Sequence, residues 1–161
     1  NGGSYDADQA VMIYADLKTL TKALLSSDFP LPEDDASIKA LLNMAYNYLV
    51  DKCQVLNLHT EDKSENIQRL GRGTFMLRRP EVPKGDNDEL DIDEELCPAV
   101  ACLIASYISD KRIAVHQARA DEIIRSYNAK VDELIESSKE ITGEVVWLKY
   151  SQVRLTQQEK L

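Results

Sequence analysis

The segment of residues 97–108, CPAVACLIASYI, constrains the fold of this chain more than any other. Its bulky apolar side chains recur at helical spacing. They are Val100, Leu103, Ile104, Tyr107 and Ile108, and Ala101 and Ala105 flank them where another helix can approach closely. Because proline is tolerated only in the first turn of a helix, Pro98 predicts that the regular helix begins near Cys97 or Pro98. This helix is therefore expected to build the core.

A run of carboxylates precedes the helix, with seven acidic residues among residues 86–95. Counted as a calcium-binding loop from Asp86, the run places Leu90 at a ligand position and Cys97 where a bidentate glutamate is needed. A loop counted from Asp91 fails similarly, because Pro98 falls at a ligand position. The run therefore does not predict a calcium site.

The same carboxylates fit the start of a helix better. At a helix N-terminus, acidic side chains complement the helix dipole and cap free N–H groups. The residues just before the predicted helix are expected to form an irregular or 3₁₀ lead-in. Its acidic residues, placed at the helix N-terminus, are Asp91, Asp93, Glu94 and Glu95. Carboxylates that catalyse proton transfer need a cleft that perturbs their pKa. Seven on one segment instead predict a solvated, mutually repelling run.

Apolar periodicity predicts two earlier helices. The first is expected at about residues 7–25, opened by a sequence of capping-box form at residues 6–9. The second is expected at about residues 35–53, after a segment with two prolines that supplies carboxylates for its N-terminus. Residues 54–59, QVLNLH, fit a helix or a strand equally well.

A long helix is predicted after a short break at residues 109–112, and it extends to about Ser138. Its apolar residues step by four and three, as in a helix packed along a partner. They are Ala120, Ile124, Tyr127, Val131 and Leu134. About 28 residues at about 1.5 Å each span about 42 Å, which is longer than a domain of this size requires. Part of this helix is therefore expected to reach a neighbouring subunit.

Residues 74–83, TFMLRRPEVP, alternate as in a strand that Pro80 and Pro83 confine to an edge or end. The preceding residues 69–73, RLGRG, predict a turn. The arginines around this turn form a basic cluster, which fits contact with phosphate or with an acidic partner, or else a solvated edge that discourages aggregation. The predicted inter-subunit or partner loop comprises Arg72, Phe75, Leu77, Arg78 and Arg79.

Residues 143–161 differ in character from the predicted helices, since they are rich in β-branched and aromatic residues. An extended arm of about 19 residues at about 3.3 Å each reaches about 60 Å. We predict a helical domain over residues 1–142, with a loop or strand insertion at about 60–90, and a C-terminal arm over residues 143–161. The predicted partner-binding residues of the arm are Val145, Val146, Trp147, Leu148, Tyr150, Val153 and Leu155.

Composition restricts the class of function. The net charge of −9 argues against a sequence-independent grip on nucleic acid, although an acidic wall can still repel DNA. The cysteines, which are Cys53, Cys97 and Cys102, form no C-x-x-C pair and predict reduced thiols. His59 and His116 are isolated, so no catalytic site, metal site or cofactor is expected. No apolar run reaches about 18 residues, so a membrane-spanning helix is not expected.

Two segments carry a family resemblance. Residues 78–112, RRPEVPKGDNDELDIDEELCPAVACLIASYISDKR, and residues 114–134, AVHQARADEIIRSYNAKVDEL, resemble the head-to-tail adaptor (connector) proteins of tailed bacteriophages. In that family an acidic lead-in of the form ELDI.EEL precedes an alanine-rich helix that ends in YIS or YLS. A final helix follows with the pattern A…I..YN.K. The resemblance covers roughly residues 7–139 and is most specific over residues 88–128.

The resemblance implies a non-enzymatic virion protein at the head–tail interface, present in the host cytoplasm during assembly. The expected fold is mainly α, a small bundle of about four helices with a short β-hairpin or strand and an extended C-terminal arm. The chain would form a ring of about twelve copies between the portal protein and a tail or stopper protein. DNA would pass through without sequence-specific binding, along an acidic surface that includes Asp86, Asp88, Glu89 and Asp91.

Two other classes of function remain open from the residues alone. The first is a non-viral helical protein–protein binding module without catalysis, acting as a monomer or a dimer. The second is a metal-dependent enzyme that uses the acidic run, which predicts stoichiometric metal in the purified protein.

Overall fold

Helices make up most of the chain that the structure describes. The computed structural model describes residues 12–58, 67–71, 74–109 and 113–142. The elements are α1 (Tyr14–Leu24), α2 (Asp35–Lys52), β1 (Ile67–Gly71), β2 (Thr74–Leu77), a 3₁₀ helix (Glu94–Leu96), α3 (Cys97–Ile108) and α4 (Ile113–Thr142). The predicted fold class, a small helical bundle with a short β-hairpin, is confirmed over these residues. The predicted C-terminal arm lies outside them.

The α3 helix lies at the centre of the bundle, and α1, α2 and α4 pack against it. It is buried on more faces than the predicted stripe, because nine of its twelve residues are buried. Ala99, Ala101 and Ala105 are fully buried and leave room for neighbouring helices to approach. Each large apolar side chain buried here, such as Leu103 or Ile104, contributes about 1.5–3 kcal/mol.

The start of α3 follows the prediction made from Pro98, which occupies the first turn of the helix. A 3₁₀ helix precedes it directly, as expected for the acidic lead-in. Proline has no N–H to donate, and the first N–H groups of a helix have no intrahelical acceptor, so this position loses no hydrogen bond.

The α2 helix also matches its prediction to within one residue. Its N-cap is Asp34, whose carboxylate accepts hydrogen bonds from the backbone N–H of Ser37 at 3.0 Å and from the Ser37 hydroxyl at 2.6 Å. Residues 54–58, left open between helix and strand, are neither. They form an irregular connection that buries Val55, Leu56 and Leu58.

The α1 helix begins later than predicted. A continuous helix from about residue 7 is wrong, because Met12 is not helical and Ile13 forms an antiparallel β-bridge with Glu89. The Leu90 N–H donates to the Met12 carbonyl at 3.0 Å and fixes this pairing. Residues 6–9, which have the form of a capping box, lie outside the described residues. The end of the helix, at Leu24, agrees with the prediction.

The α4 helix is 30 residues long and continues four residues beyond the predicted end. Its seam packs on the core at Ala120, Ile124, Tyr127 and Val131, all at most 4% exposed. Leu134 was predicted to continue this seam, but its side chain is 39% exposed because the core ends one turn earlier. Within the described residues, no helix is both long and apolar enough to cross a membrane.

The β-hairpin precedes the acidic run. β1 and β2 pair antiparallel, with Ile67 opposite Leu77, and the register shifts between Arg69 and Gly71. β2 lies within residues 74–83, which were predicted as a strand. β1 completes the short β-hairpin that the predicted fold class gave as one alternative, although its last three residues were predicted as part of a turn. Leu77, at 1% exposed, joins the strand to the core.

Candidate functional site: the acidic segment and its surroundings

The acidic segment, defined as residues 85–96, connects the hairpin to α3 and begins with a tight turn. The Asp88 carboxylate accepts hydrogen bonds from the backbone N–H groups of Gly85 at 3.0 Å and Lys84 at 2.8 Å. These bonds favour the ionised form and hold the pKa of Asp88 below its ordinary range. The carboxylate therefore shapes its own loop.

The backbone of this turn completes the N-terminus of α1. The carbonyl of Asp88 accepts from the Tyr14 N–H at 2.9 Å, and that of Asp86 accepts from the Ala15 N–H at 3.0 Å. The first N–H groups of a helix have no acceptor within the helix, so the acidic segment supplies two of the missing acceptors. The Asp86 carboxylate also pairs with Lys18, at 2.6 Å.

Asp91 closes the loop that leads out of the hairpin. Its two carboxylate oxygens accept from the two terminal nitrogens of Arg78, at 2.7 and 3.1 Å. One of these oxygens also accepts from the Glu81 backbone N–H at 2.9 Å. Both partners of the ion pair are about one-third exposed. A bidentate pair fixes orientation as well as distance, so it positions the base of the hairpin against the acidic segment.

Asp93 is the buried carboxylate of the segment, at 7% exposed. It accepts hydrogen bonds from the Leu58 backbone N–H and from the Tyr127 hydroxyl, the latter at 2.6 Å. Its own N–H donates to the Leu56 carbonyl at 2.9 Å. Asp93 therefore joins the irregular connection after α2 to the middle of α4.

The roles of these carboxylates differ from those predicted. The N-cap residues of the 3₁₀ helix and of α3 are Asp93 and Leu96, and neither makes a side-chain capping hydrogen bond. The predicted capping role is therefore wrong for Asp93, and Asp91 binds Arg78 and the Glu81 N–H instead. The expectation of a solvated, mutually repelling run is also wrong for part of the segment. Glu95, for example, pairs with Lys130 of α4. These carboxylates therefore bind residues that are distant in sequence.

Only some residues of the predicted partner loop lie at the surface. Leu77 lies in the core, which gives it a structural role in place of the predicted contact, and Arg78 is held by Asp91. Arg79 is exposed, and its guanidinium donates to the Asn43 side-chain oxygen at 3.1 Å. Phe75 lies on β2 opposite Arg69, and Arg72 lies outside the described residues.

The predicted acidic surface lies in one loop. Asp86, Asp88 and Glu89 are exposed, whereas Asp91 is partly buried in its ion pair. The predicted arm residues lie outside the described part of the chain: Val145, Val146, Trp147, Leu148, Tyr150, Val153 and Leu155.

Candidate metal ligands do not converge in the described part of the chain, where no three residues among His, Cys, Asp and Glu are grouped to hold a metal ion. His59 lies outside that part. His116 is buried on α4, at 3% exposed.

Cys53, Cys97 and Cys102 all lie in the described residues, and their thiols are buried and form no disulfide bond. Burial, together with the nearby carboxylates of Glu94 and Asp93, raises the pKa of Cys97 to about 12. Burial also raises the pKa of Cys102. Because the thiolate is the reactive form of cysteine, these thiols are protected from electrophiles in the folded protein.

A thiol-reactive dye should therefore distinguish the folded from the unfolded chain. At pH 8 we expect native protein to leave Cys53, Cys97 and Cys102 unreacted over a period in which protein in urea reacts at all three positions. A Ser27→Cys variant, with its thiol at an exposed position, serves as the positive control. Rapid labelling of a native cysteine would contradict the burial described here.

Sequence reasoning missed two surface features. One is an open cavity of about 540 Å³ along α4. Its lining includes Glu95, Arg119, Glu122, Ile123 and Lys130. The other feature is a set of large apolar side chains that are about half exposed, namely Met44 on α2 and Ile113 and Val115 on α4. The sequence could have indicated these exposed side chains, since they are apolar residues that lie outside the predicted apolar seams.

The acidic segment is thus a structural junction with one exposed face. Comparison of the chain with protein-family models, curated proteins and solved structures gives no match, so the function has to be inferred from these residues and contacts.

Proposed function

We propose that this protein is a structural virion protein that forms a ring between the portal and the tail of a bacteriophage. In this role it continues the DNA channel and provides a docking surface for the tail or a stopper protein. Its stability and its surfaces, rather than a chemical reaction, would be the basis of its function.

The observation that carries the proposal is the contact between the two segments that resemble head-to-tail adaptors. Asp93 and Glu95 belong to the ELDI.EEL-like segment, and Tyr127 and Lys130 belong to the YN.K-like segment. The Tyr127 hydroxyl donates to Asp93, and Lys130 pairs with Glu95. Glu95, Tyr127 and Lys130 are residues that the two patterns specify, whereas Asp93 occupies the unspecified position of ELDI.EEL. The two segments that carry the resemblance therefore contact each other in the folded chain, and the Glu95–Lys130 pair joins specified residues of both.

The length of α4 also supports a protein that works as an assembly. At about 1.5 Å per residue, its 30 residues span about 45 Å. Val131 is the last of its described residues that is buried, and the described side chains that follow it, such as Glu133 and Leu134, are exposed. This end of the helix therefore presents a surface that a neighbouring subunit can cover.

The charge of the chain supports a DNA conduit. The net charge is −9, and Asp86, Asp88 and Glu89 present exposed carboxylates in one loop. Because DNA phosphates are repelled by such a surface, a duplex could slide past without sticking. We propose that this loop faces the channel.

The C-terminal arm, residues 143–161, is proposed to hook onto the portal protein. Trp147, Leu148 and Tyr150 are the proposed anchors, because large buried side chains, aromatic ones above all, carry a disproportionate share of interface energy. The helix that precedes the arm continues to Thr142, so the arm would leave from the far end of α4.

Deletion of residues 143–161 tests this proposal. We expect the truncated chain to keep its helical circular dichroism and its cooperative unfolding, because the core described here ends before residue 143. It should lose binding to purified portal protein, the partner used in the assay.

A Trp147→Ala and Tyr150→Ala double variant of the full chain should weaken binding to portal protein by about a hundredfold or more, whereas Lys149→Ala should have little effect. Undiminished portal binding by the truncated chain would contradict the role of the arm. A full-length chain that stays monomeric and does not bind portal would favour a non-viral binding module.

A further inference from the structure

The solvent side of α4 carries a row of charged side chains beside the open cavity that follows this helix. Its members are three or four positions apart, so they lie on one face of the helix. We define this charged stripe as Arg119, Glu122, Ser126, Lys130 and Glu133, all of which are exposed. The first four also line the cavity of about 540 Å³. The charged stripe therefore forms one wall of the cavity and extends for about 21 Å along α4.

The order of charges in the stripe is self-complementary. From Arg119 to Glu133 it reads positive, negative, neutral, positive, negative. When a second copy of α4 lies antiparallel with Ser126 opposite Ser126, Arg119 of one copy is level with Glu133 of the other, because each is seven residues from the centre. Glu122 and Lys130 are each four residues from the centre and are level with each other as well. In this register every charge of the stripe meets an opposite charge.

The side chains near the centre of the stripe leave room for a second helix. Ser126 is small and exposed, and so is Ala129. Ile123 is partly buried in the lining of the cavity, and in the antiparallel register it lies level with Ala129 of the second copy. Because a large apolar side chain then faces a small one, the two helices can approach closely.

Ion pairs within the chain leave the outer charges of the stripe available. Lys130 pairs with Glu95 of the 3₁₀ helix, and the two side chains are 48% and 30% exposed. A lysine ammonium has three donors, so Lys130 can bind Glu95 and a carboxylate of a second copy together. In the described part of the chain, Arg119, Glu122 and Glu133 form no ion pair. The match between Arg119 and Glu133 therefore carries most of the charge complementarity.

We infer that this protein forms a twofold dimer in which the charged stripe of α4 packs antiparallel against the same stripe of a second copy. The occupant of the open cavity is thus the α4 helix of that copy. Both copies use the same surface, so the contact closes after two copies. The inference goes beyond the proposed ring, because a twofold contact pairs copies of the chain and does not by itself extend into a cyclic ring. Since the contact is short and its ion pairs are exposed, we expect a weak dimer that forms at high protein concentration and low salt.

Charge reversal at the outer pair tests the dimer, measured by sedimentation velocity over a series of protein concentrations at low salt. We expect the wild type to associate to a dimer. Arg119→Glu and Glu133→Arg should each weaken association by about tenfold or more, because like charges then lie level with each other. The chain with both substitutions should associate as the wild type does, since its two charges are exchanged and remain opposite. An equimolar mixture of the two single variants should form a heterodimer for the same reason.

Two variants of equal charge change at other exposed positions are the controls. Arg125→Glu lies on α4 outside the charged stripe, and Asp28→Arg lies in the connection after α1. Both should associate as the wild type does. Circular dichroism checks that every variant is folded, and added salt should weaken wild-type association because the paired charges are screened.

A thiol-to-thiol crosslinker tests the register of the two helices. Because Ser126 is expected to face its own counterpart, Ser126→Cys should give a covalent dimer with a short bis-maleimide, while the buried native cysteines stay unreacted. Ser27→Cys, at an exposed position after α1, should give much less covalent dimer. Adding Arg119→Glu to the Ser126→Cys chain should lower the yield, since the substitution weakens the contact.

Three results would overturn the inference. The first is a wild type that stays monomeric at the highest protein concentration. The second is a pair of single variants that associate as the wild type does, or an exchanged double variant that stays as weak as they are. The third is a dimer that is crosslinked no better through position 126 than through position 27, because the two copies would then meet at another surface.

Discussion

Replacing Asp93 by alanine is expected to lower the free energy of unfolding by about 3 kcal/mol. The substitution leaves the Leu58 N–H and the Tyr127 hydroxyl without their acceptor at a site where the carboxylate is 7% exposed. Each buried donor that loses its acceptor costs about 1–3 kcal/mol. Domains of this size are stable by about 5–15 kcal/mol, so the loss should be plain in urea unfolding.

Two variants provide the controls for this measurement. Tyr127→Phe removes one donor and leaves the carboxylate with Leu58, so it should cost about 1 kcal/mol. Glu94→Ala, at the exposed neighbouring position, should change stability by less than about 0.5 kcal/mol. In the Asp93→Ala background, Tyr127→Phe should cost less than it does alone, because the hydroxyl has already lost its acceptor. Strictly additive losses, or a loss below about 1 kcal/mol for Asp93→Ala, would show that the hydrogen bonds do not act as described.

Raising the pH above about 9 is expected to destabilise the folded chain steeply. Burial raises the pKa of Tyr46 above the ordinary value of a phenol, as do burial and the Asp93 carboxylate for Tyr127. Burial and nearby carboxylates raise the pKa of Cys97 to about 12, so this thiol also contributes to the loss of stability at high pH. In the unfolded chain, thiols ionise near pH 8.5 and phenols near pH 10.

The sign of this pH dependence follows from the number of protons that the folded and the unfolded chain bind. Above these pH values the unfolded chain has released protons that the folded chain still holds, so the free energy of unfolding falls as pH rises. The full contribution is present below about pH 8.5 and is lost progressively as the pH approaches the raised values in the folded state. For three groups the slope approaches about 4 kcal/mol per pH unit.

Urea unfolding at a series of pH values between 8 and 12 measures this slope. Tyr46→Phe and Tyr127→Phe should each reduce it by about 1.4 kcal/mol per pH unit, because each variant removes one titrating group. Phe29→Tyr, which adds a phenol at a partly exposed position, should leave the slope nearly unchanged. A stability that is constant up to pH 12 would refute the assignment of buried, protonated phenols.

Local signals account for the parts of the fold that the sequence predicts well. Pro98 marks the first turn of α3, and Asp34 caps α2 through its own neighbour Ser37. These effects operate within four residues, so they can be derived from the order of the residues alone. The apolar seam of α4 is predicted for the same reason as far as Val131, and it fails at Leu134 because only the folded core determines where burial stops.

Contacts between distant residues account for what the sequence does not predict. The start of α1 depends on the pairing of Ile13 with Glu89, and no local pattern around Ile13 indicates it. The partners of the carboxylates, among them Lys18, Arg78 and Tyr127, come from three different parts of the chain. Spacing shows that the acidic segment lies at a helix start, whereas only the fold shows that most of its carboxylates hold other elements in place.

The bridge between the acidic segment and the start of α1 has a consequence for how the chain folds. The hydrogen bond from Tyr14 to the Asp88 carbonyl closes a loop that includes α2 and the hairpin. Closing such a loop has an entropic cost before the contact stabilises the protein, and contacts of this range slow folding relative to a bundle with local contacts only. During synthesis, the first turn of α1 therefore stays without these acceptors until the ribosome has released residue 88, and the N-terminal part of the chain depends on later residues for its final structure.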